Sequence, residues 1–354
     1  MSAGIRLLVA VLAVSAALAP LPSSAATLIH AGRVIDGVSE RVLSERTLVI
    51  DGGRIVAIEP GFRAPGVGDT VIDLRGSTLM PGLMDMHVHL TSEYSRSSAG
   101  DAFRKNGTDV ALDGAMFAKR TLMAGFTTVR DLGDSFRASL ALRDAINAGI
   151  TEGPSMKSGT FALMTAVGGT AGRMIPDHGT AGYAEVVHNR DEMVRVVRRQ
   201  IKDGADIIKI HVTGVIPARS GEIQVWTRDE LKTVCDTAHD LGIPVTAHCR
   251  GDQATLDAVL AGVDIIWHAS FLGDRALEAI IDRKTAVGPV FTFLANLAEY
   301  GAKVGATASV QSTFAGELEH TGARLRQAYD AGVPLLCGSE SGFSITPYGN
   351  WHAR

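Results

Sequence analysis

The run Leu79-Met-Pro-Gly-Leu-Met-Asp-Met-His-Val-His-Leu90 is an apolar segment that closes on two histidines separated by one residue. In a β-strand, side chains two residues apart point to the same side, so His87 and His89 leave a strand together. Two neighbouring neutral imidazoles can supply half of the ligands of a transition-metal site. A bare His-x-His also occurs in ordinary strands, so the pair by itself leaves both interpretations open.

From this run onward the sequence repeats one unit, in which a helix-like stretch ends at a glycine and an apolar strand follows. The glycine suits the left-handed position just past a helix C-terminus. A repeated helix–Gly–strand unit predicts a parallel sheet covered by helices. The clearest copies are Met123-Ala-Gly-Phe-Thr-Thr-Val, Lys202-Asp-Gly-Ala-Asp-Ile-Ile-Lys-Ile, Asp240-Leu-Gly-Ile-Pro-Val-Thr-Ala-His, Leu260-Ala-Gly-Val-Asp-Ile-Ile-Trp-His and Asp330-Ala-Gly-Val-Pro-Leu-Leu-Cys-Gly.

The number of these strands predicts the fold class. Eight units close most naturally into an α/β fold of the (β/α)8 TIM barrel type, and a doubly wound open sheet is the alternative. The barrel domain is expected to cover residues 79–354. The eight strands are predicted at 79–89, 126–130, 155–161, 206–212, 243–248, 264–268, 287–294 and 333–338.

Residues 26–78 differ from the barrel in composition and are predicted to form part of a small N-terminal β-sandwich domain. Asp51-Gly-Gly is a strong hairpin turn. The β-rich segments around it predict an antiparallel unit. They are Thr27-Leu-Ile-His, Gly32-Arg-Val-Ile, Thr47-Leu-Val-Ile, Arg54-Ile-Val-Ala-Ile and Val71-Ile-Asp-Leu.

The first 25 residues are predicted to be a signal peptide. Arg6 precedes the apolar stretch Leu7 to Leu18, and Ser23-Ser-Ala25 provides small residues at the cleavage site. The apolar stretch is too short to span a bilayer comfortably, so the mature protein is expected to be secreted or periplasmic, with no membrane association after cleavage.

Composition and charge limit the types of protein to which this chain can belong. A net charge of −4 over 354 residues gives no electrostatic case for nucleic acid, and 46% apolar residues are typical of a globular chain. The three cysteines, Cys235, Cys249 and Cys337, form no C-x-x-C pair and are predicted to be buried small residues rather than a disulfide framework.

Polar residues in the barrel segments lie where each strand ends, which is where barrel enzymes place their catalytic groups. Each has an ordinary explanation alone, because a strand-end histidine is often a satisfied core residue and a lysine often extends to solvent. Together they predict a metal site at one barrel mouth. The set comprises His87 and His89 after strand 1, Lys209 after strand 4, His248 after strand 5, His268 after strand 6 and Glu340 after strand 8.

This pattern resembles the metal-dependent amidohydrolase superfamily, and the flanking sequence is similar to its imidazolonepropionase-related, Xaa-Pro dipeptidase-like branch. The resemblance extends from about residue 27 to the end of the chain. It implies that the strand-1 pair and the strand-8 carboxylate bind one metal and that the histidines of strands 5 and 6 bind a second. The segments that carry it are Met80-Pro-Gly-Leu-Met-Asp-Met-His-Val-His, Asp131-Leu-Gly and Gly338-Ser-Glu-Ser-Gly-Phe.

The resemblance also implies a reaction. Two divalent ions, with Zn2+ the best match to imidazole and carboxylate ligands, would be bridged by a CO2-derived carbamate on Lys209. A bridging hydroxide would attack a carbonyl carbon, and Glu340 would pass its proton to the leaving nitrogen. Deaminase-type relatives use one metal and no bridging lysine, so Lys209 favours hydrolysis of amide or peptide C–N bonds.

The chain departs from the family pattern in two places. The strand-8 residue is normally aspartate, and the extra methylene of Glu340 moves the carboxylate by ~1.5 Å. The sequence also stops at Arg354, where the family continues through a last helix and the closing strands of the small domain. We therefore expect a barrel that is truncated at its C-terminal end.

The substrate is predicted less narrowly than the metal site. His211 lies two residues after Lys209 and so faces the same side, where it could contact substrate or a metal-bound oxygen or could be a packing residue near the rim. Tyr94 and Arg250 are also candidate substrate contacts, as are the loop residues Arg173 and Arg219, because these groups can hold a carboxylate. A dipeptide or N-acyl amino acid with a free carboxylate fits best. A carboxylesterase or lactonase, a cyclic-amide hydrolase and a catalytically degraded metal-binding protein are the alternatives. The sequence leaves a homo-oligomer open.

Overall fold

A computed structural model describes residues 25–93, 104–168, 184–215, 222–343 and 345–349. The predicted signal peptide lies outside these residues except for Ala25, and Tyr94, Arg173 and Arg219 lie outside them entirely. The chain forms two compact units, the first ending at Pro81 and the second beginning at Gly82. No helix among the described residues is both long enough and apolar enough to cross a membrane.

The first unit contains a four-stranded sheet in the order β3-β2-β1-β4. The predicted antiparallel arrangement is wrong for its last strand, because β4 pairs with β1 in parallel. The segment between β3 and β4 carries the chain to the opposite edge, where the Thr70 amide donates to the Ala26 carbonyl at 2.9 Å. The strands are β1 (Thr27–Val34), β2 (Leu43–Asp51), β3 (Arg54–Pro60) and β4 (Thr70–Leu79).

Two glycine features shape this sheet. The predicted turn after Asp51 is confirmed, with Gly52 and Gly53 at φ +55° and +75° in the left-handed region. The two predicted segments at 27–30 and 32–35 form one strand, and its register against β4 shifts between Ala31 and Arg33. A Cβ on Gly32 would lie 2.1 Å from the Arg75 carbonyl oxygen, so only glycine fits this close approach.

The second unit alternates strands and helices as predicted. Polar N-caps begin several of the helices. Asn106 and Asp109 form a capping box, as do Thr227 and Glu230, so the first free amides of these helices are satisfied. The helices in the described residues are α1 (Gly107–Met123), α2 (Ala138–Asn147), α3 (Arg190–Lys202), α4 (Arg228–His239), α5 (Asp252–Ala261), α6 (Asp274–Arg283), α7 (Phe291–Tyr300) and α8 (Ala308–Asp330).

The barrel strands pair in parallel, in the orders β5-β6-β7 and β15-β14-β13-β10-β8-β9, and β11 and β12 form an antiparallel hairpin after β10. The strands are β5 (Leu83–Val88), β6 (Phe126–Asp131), β7 (Ser155–Ser158), β8 (Ala162–Thr165), β9 (Ala184–Val187), β10 (Ile208–His211), β11 (Thr213–Val215), β12 (Glu222–Gln224), β13 (Val245–Arg250), β14 (Ile265–Ser270) and β15 (Ala286–Gly288).

The predicted eighth strand closes the barrel without forming a regular strand. The Leu336 amide donates to the Val287 carbonyl at 2.8 Å, and the Glu340 amide donates to the His87 carbonyl at 2.8 Å. Residues 335–341 are therefore bonded to β15 on one side and to β5 on the other, with single parallel bridges at Leu335 and Ser341. This closure favours the barrel over the open sheet.

The predicted seventh strand, 287–294, is wrong beyond its first residues. The strand ends at Gly288, and helix α7 begins at Phe291. Val290 adopts φ +56° and ψ +40°, a left-handed conformation that breaks the extended chain and starts the helix. The apolar composition of this segment could not distinguish a buried strand from a buried helix.

The centre of the barrel is filled by Trp267, which is fully buried and donates its indole N–H to the Thr246 hydroxyl at 2.6 Å. A Cβ on Gly288 would lie 1.9 Å from the Trp267 ring, so the glycine makes room for the indole. Cys235 and Cys249 are buried as predicted, whereas Cys337 is exposed. The prediction for Cys337 failed because residues 335–338 form no regular interior strand.

Candidate metal centre

The residues predicted to bind metal gather at the carboxyl ends of the barrel strands. The His87 and His89 ring centroids are 5.3 Å apart, and those of His87 and His268 are 6.0 Å apart. The rings of His248 and His268 approach to 4.5 Å. His248 lies opposite His211 in the pairing of β13 with β10, so strand order brings these imidazoles together.

One group of side chains is already spaced for an ion. Ligand atoms of His87, His89 and Glu340 all lie within 4.8 Å of one another. The His89 Nδ1 atom lies 2.8 Å from the Gly133 carbonyl oxygen, and a proton on Nδ1 would leave the lone pair of Nε2 free. Two imidazoles and a carboxylate are donors that suit a divalent transition metal.

Buried polar atoms without hydrogen-bond partners support the same interpretation. Both ring nitrogens of His87, both ring nitrogens of His268 and the Glu340 Oε2 atom are buried without a partner in the described residues. A buried polar atom normally has a partner, because burying one alone costs about 1–3 kcal/mol. A cation bound by these atoms would remove the cost, so the residues present fit a metal.

Burial keeps the histidines neutral, as ligation requires. It lowers the pKa of His87, His211 and His268 well below the ordinary value and lowers the pKa of His89 to about 4. The positive charge of Lys209 acts in the same direction on all four rings. A neutral imidazole keeps a lone pair for a metal.

Lys209 is the second residue of β10 and is almost completely buried. Burial lowers the pKa of its ammonium to about 7, although the charges of Glu340 and Asp131 oppose the shift. Burial likewise raises the pKa of Glu340, against the attraction of Lys209 and Arg250. Removing an ammonium from water favours the neutral amine. The neutral amine is the form that can react with CO2.

The backbone is strained where two of these groups sit. His268 has φ +72° and Glu340 has φ +58°, both in the left-handed region that residues with a Cβ rarely adopt. Such conformations cost of order 1–3 kcal/mol each and concentrate at functional sites. The two side chains face each other, with His268 Nε2 at 3.9 Å from Glu340 Oε1.

The segment that carries Glu340 is fastened to β5 by Asp85. This buried carboxylate accepts hydrogen bonds from the Ser339 amide at 3.0 Å, the Ser339 hydroxyl at 2.5 Å and the His87 amide at 3.2 Å. On the other side, a Cβ on Gly338 would lie 2.8 Å from the His87 Cβ. The glycine therefore lets the segment pass directly against His87.

We expect Asp85→Ala to lower the free energy of unfolding by about 3 kcal/mol, because it leaves the buried Ser339 and His87 amides unpaired. Chemical denaturation of the full chain measures the change. Ser339→Ala is the comparison variant, since it removes the hydroxyl that binds Asp85 and accepts the Ser341 amide but leaves Asp85 bonded to both of its amide partners, and its expected cost is about 1–2 kcal/mol. Equal losses from the two variants would contradict this role for Asp85.

Three buried acidic residues near the site were not predicted from the sequence. Asp85 shares the β5 face of His87 and His89 by strand alternation, a pattern that could have revealed it. Asp131 ends β6 and accepts the Leu90 amide at 2.6 Å. Glu222 begins β12 and bonds His248, and no spacing rule marks it.

The structure describes two of the three residues predicted to contact substrate, His211 and Arg250. The His211 ring stacks on the His248 ring, with centroids 5.0 Å apart. Arg250 is paired with Glu317 and Glu222. Tyr94 lies outside the described residues. Contact of any of the three predicted residues with substrate stays a prediction.

A closed α/β barrel with imidazole, amine and carboxylate groups at its mouth defines an enzyme fold of the amidohydrolase type. The sequence profile of the Amidohydrolase family matches residues 78–348, and the chain belongs to that family. The resemblance noted from the motifs is confirmed, for the superfamily by this profile and for the Xaa-Pro dipeptidase-like branch by the similar proteins that follow.

Among solved structures, a Xaa-Pro dipeptidase with bound methionine in the active site is 34% identical, covering 92% of this chain and 81% of that chain with a TM-score of 0.79. A prolidase complexed with N-methylphosphonate-L-proline is 26% identical, covering 91% and 80%, with a TM-score of 0.78. The ochratoxinase of Aspergillus niger is 28% identical over 283 residues, which are 73% of this chain and 57% of that protein.

Proposed function

We propose that the protein is an exported, binuclear metal-dependent hydrolase of amide or peptide C–N bonds, acting on dipeptides or N-acyl amino acids. The observation that carries the proposal is the convergence of four histidines, a buried lysine and a buried glutamate on one barrel mouth. Several of their ring nitrogens and one carboxylate oxygen are buried without partners. A purely structural cluster would satisfy these atoms.

Two ligand groups are proposed. His87, His89 and Glu340 would hold one divalent ion, and His248 and His268 would hold the second, with Lys209 between the groups as a carbamate. Zinc suits the imidazole and carboxylate donors best. When bound, two such ions supply a strongly acidified water and a polarised substrate carbonyl.

Lys209 and Glu340 have separate tasks in this scheme. The neutral Nζ of Lys209 would attack CO2, so that an N–C bond forms, a C–O π pair becomes a carboxylate oxygen and the amine releases a proton. The carboxylate of Glu340 would accept the proton of the attacking water and deliver it to the leaving nitrogen. Both roles need groups whose pKa is shifted by burial, as it is for these two.

The substrate class is supported by similarity and by the site's chemistry. The Xaa-Pro dipeptidase and the prolidase are similar to this chain over nine-tenths of its length. Prolidase and dipeptidase substrates are small and carry a free carboxylate next to the scissile amide. We propose that this enzyme also requires that carboxylate, with His211 and Tyr94 as its candidate contacts, since the Arg250 guanidinium is already paired with Glu222 and Glu317.

The second ligand group leads to a metal prediction. We expect His248→Ala and His268→Ala each to lower the metal content from about two ions to about one per chain, because each removes a ligand of the same ion. Elemental analysis of purified protein measures this. His188→Ala is the control, since His188 is exposed and pairs with Glu192 on α3. Unchanged stoichiometry in both site variants would contradict the assignment.

Turnover is tested with the zinc-loaded, signal-cleaved chain on a matched panel. The panel comprises Xaa-Pro dipeptides, other dipeptides and carbobenzoxy-amino acids, each accompanied by its C-terminal amide and by the analogue with an ester in place of the scissile amide. We expect release of the free amino acid from the carboxylates and at least ~10-fold slower release from the amides, because the lost charge weakens orientation. Metal-loaded protein that turns over none of them would contradict the proposal, and faster hydrolysis of matched esters would favour an esterase.

A further inference from the structure

Glu222 is a buried carboxylate that the proposed mechanism does not use. Its side chain is 4% exposed, and its Oε2 atom lies 2.8 Å from the Nε2 atom of His248. The same oxygen accepts the Thr213 hydroxyl. Because a carboxylate oxygen can only accept, His248 Nε2 must carry the proton of this contact.

The position of that proton decides which nitrogen of His248 can bind a metal. A neutral imidazole carries one proton, so the lone pair of a ring protonated at Nε2 lies on Nδ1. A metal-binding histidine usually donates its other ring N–H to a carboxylate or carbonyl, which fixes both the tautomer and the ring orientation. His89 is held by its other ring nitrogen, with Nδ1 at 2.8 Å from the Gly133 carbonyl oxygen, which leaves Nε2 free.

The second carboxylate oxygen of Glu222 contacts Arg250. The Nη1 atom of Arg250 lies 3.3 Å from Glu222 Oε1, and the remaining guanidinium nitrogens donate to Glu317 on α8. The Ser270 hydroxyl also donates to Glu317, which is 1% exposed. These contacts connect the β11–β12 hairpin, the ends of β13 and β14 and helix α8 into one buried network. The single positive charge of Arg250 offsets one of the two negative charges on Glu222 and Glu317.

We propose that Glu222 is a positioning residue that holds His248 in the Nε2–H tautomer and so presents Nδ1 to the second metal ion, with Arg250 fixing the carboxylate. The inference rests on the proposed function, because it assumes that His248 is a metal ligand. It adds a residue from outside the barrel strands to the site. It also gives Arg250 a function, because its pairing with Glu222 would fix the position of that carboxylate.

The tautomer is tested first, on the zinc-loaded wild-type chain with 15N-labelled histidine. Long-range 1H–15N correlation spectra distinguish a protonated ring nitrogen from a metal-bound one. We expect His248 to show a protonated Nε2 and a metal-bound Nδ1, assigned by comparison with His248→Ala. A protonated Nδ1 with zinc on Nε2 would overturn the proposal, whatever the variants do.

Glu222→Gln is the variant, because it keeps the side-chain size and removes the charge. We expect zinc affinity at one of the two sites to fall by about 10–100-fold in a chelator competition, with the other site unchanged. The control is Glu185→Gln, which removes a partly buried, arginine-paired glutamate remote from the site. Affinities equal to wild type in Glu222→Gln would overturn the proposal.

Failure of the proposed function and failure of the positioning role of Glu222 give different results. If wild-type protein binds no zinc at His248, the proposed binuclear function fails and the tautomer measurement shows an unligated ring. If wild-type protein binds two ions but Glu222→Gln binds them equally well, the function stands and the positioning role of Glu222 fails. Should Glu222→Gln not fold, Thr213→Val removes the hydroxyl that holds the same oxygen, with an expected affinity loss in the same direction.

Discussion

Replacing Lys209 with alanine should abolish hydrolysis and leave the chain folded. The substitution removes the only group in the proposed site that can bridge the two ligand sets through a carbamate. The second ion should also be lost, because His248 and His268 alone supply two ligands. The smaller side chain leaves a cavity that costs stability, and the lost desolvation cost of the buried amine offsets part of it, so we expect the variant to fold with a lower melting temperature. Turnover, metal content and thermal unfolding are measured together.

Chemical rescue makes this test specific. Short-chain carboxylic acids with excess metal should restore part of the activity of Lys209→Ala, since a free carboxylate can occupy the place of the carbamate. Lys157→Ala is the matched control, because Lys157 lies in the neighbouring β7 but is 64% exposed. High-resolution density that shows a bare ammonium, with both metals bound and full activity, would contradict the bridging role.

Glu340→Gln should lower kcat by a factor of ~10² or more with little change in KM, because the amide cannot accept the proton of the attacking water. Burial raises the pKa of Glu340 in the metal-free chain, and two adjacent cations would oppose that shift. Activity should therefore fall as the pH drops through the Glu340 pKa, since protonation blocks the acceptor. That acid limb should be absent from the residual activity of Glu340→Gln.

Glu340→Asp tests whether the glutamate is itself suited to the reaction. The family normally has aspartate here, so the shorter side chain should keep activity or increase it. An inert parent with an active Glu340→Asp would mean that the glutamate disables the site and would favour the catalytically degraded alternative. Turnover of Glu340→Gln at the parental rate would show that this carboxylate is not the proton-transfer group.

The parts of the fold that the sequence predicted are those where local pattern and packing agree. The helix–Gly–strand repeats located most barrel strands, and the His-x-His run identified two of the residues that the structure brings together at the barrel mouth. The method failed at Phe291 and around Cys337. There, apolar segments take their conformation from closure of the barrel and from left-handed residues such as Val290. Neither closure of the barrel nor a left-handed residue can be inferred from the pattern of one sequence.

The candidate site likewise contains residues that the sequence predicted and residues that it did not. Groups at strand ends were predictable because parallel strands bring their carboxyl ends together. Glu222 and Glu317 were not, because they reach His248 and Arg250 from a hairpin and a helix that lie far away in sequence. Their contacts depend on how the barrel closes. Asp85 lies between these cases, since strand alternation places it beside His87 but does not reveal its bonds to Ser339.

Metal content tests the central claim most directly. Protein expressed from the full sequence is purified without chelator, and its ions are counted by elemental analysis against protein concentration. The account predicts about two divalent ions per chain, mostly zinc, and a chelator that removes them should abolish turnover until zinc is returned. No more than trace metal in protein that still hydrolyses the substrate panel would contradict it.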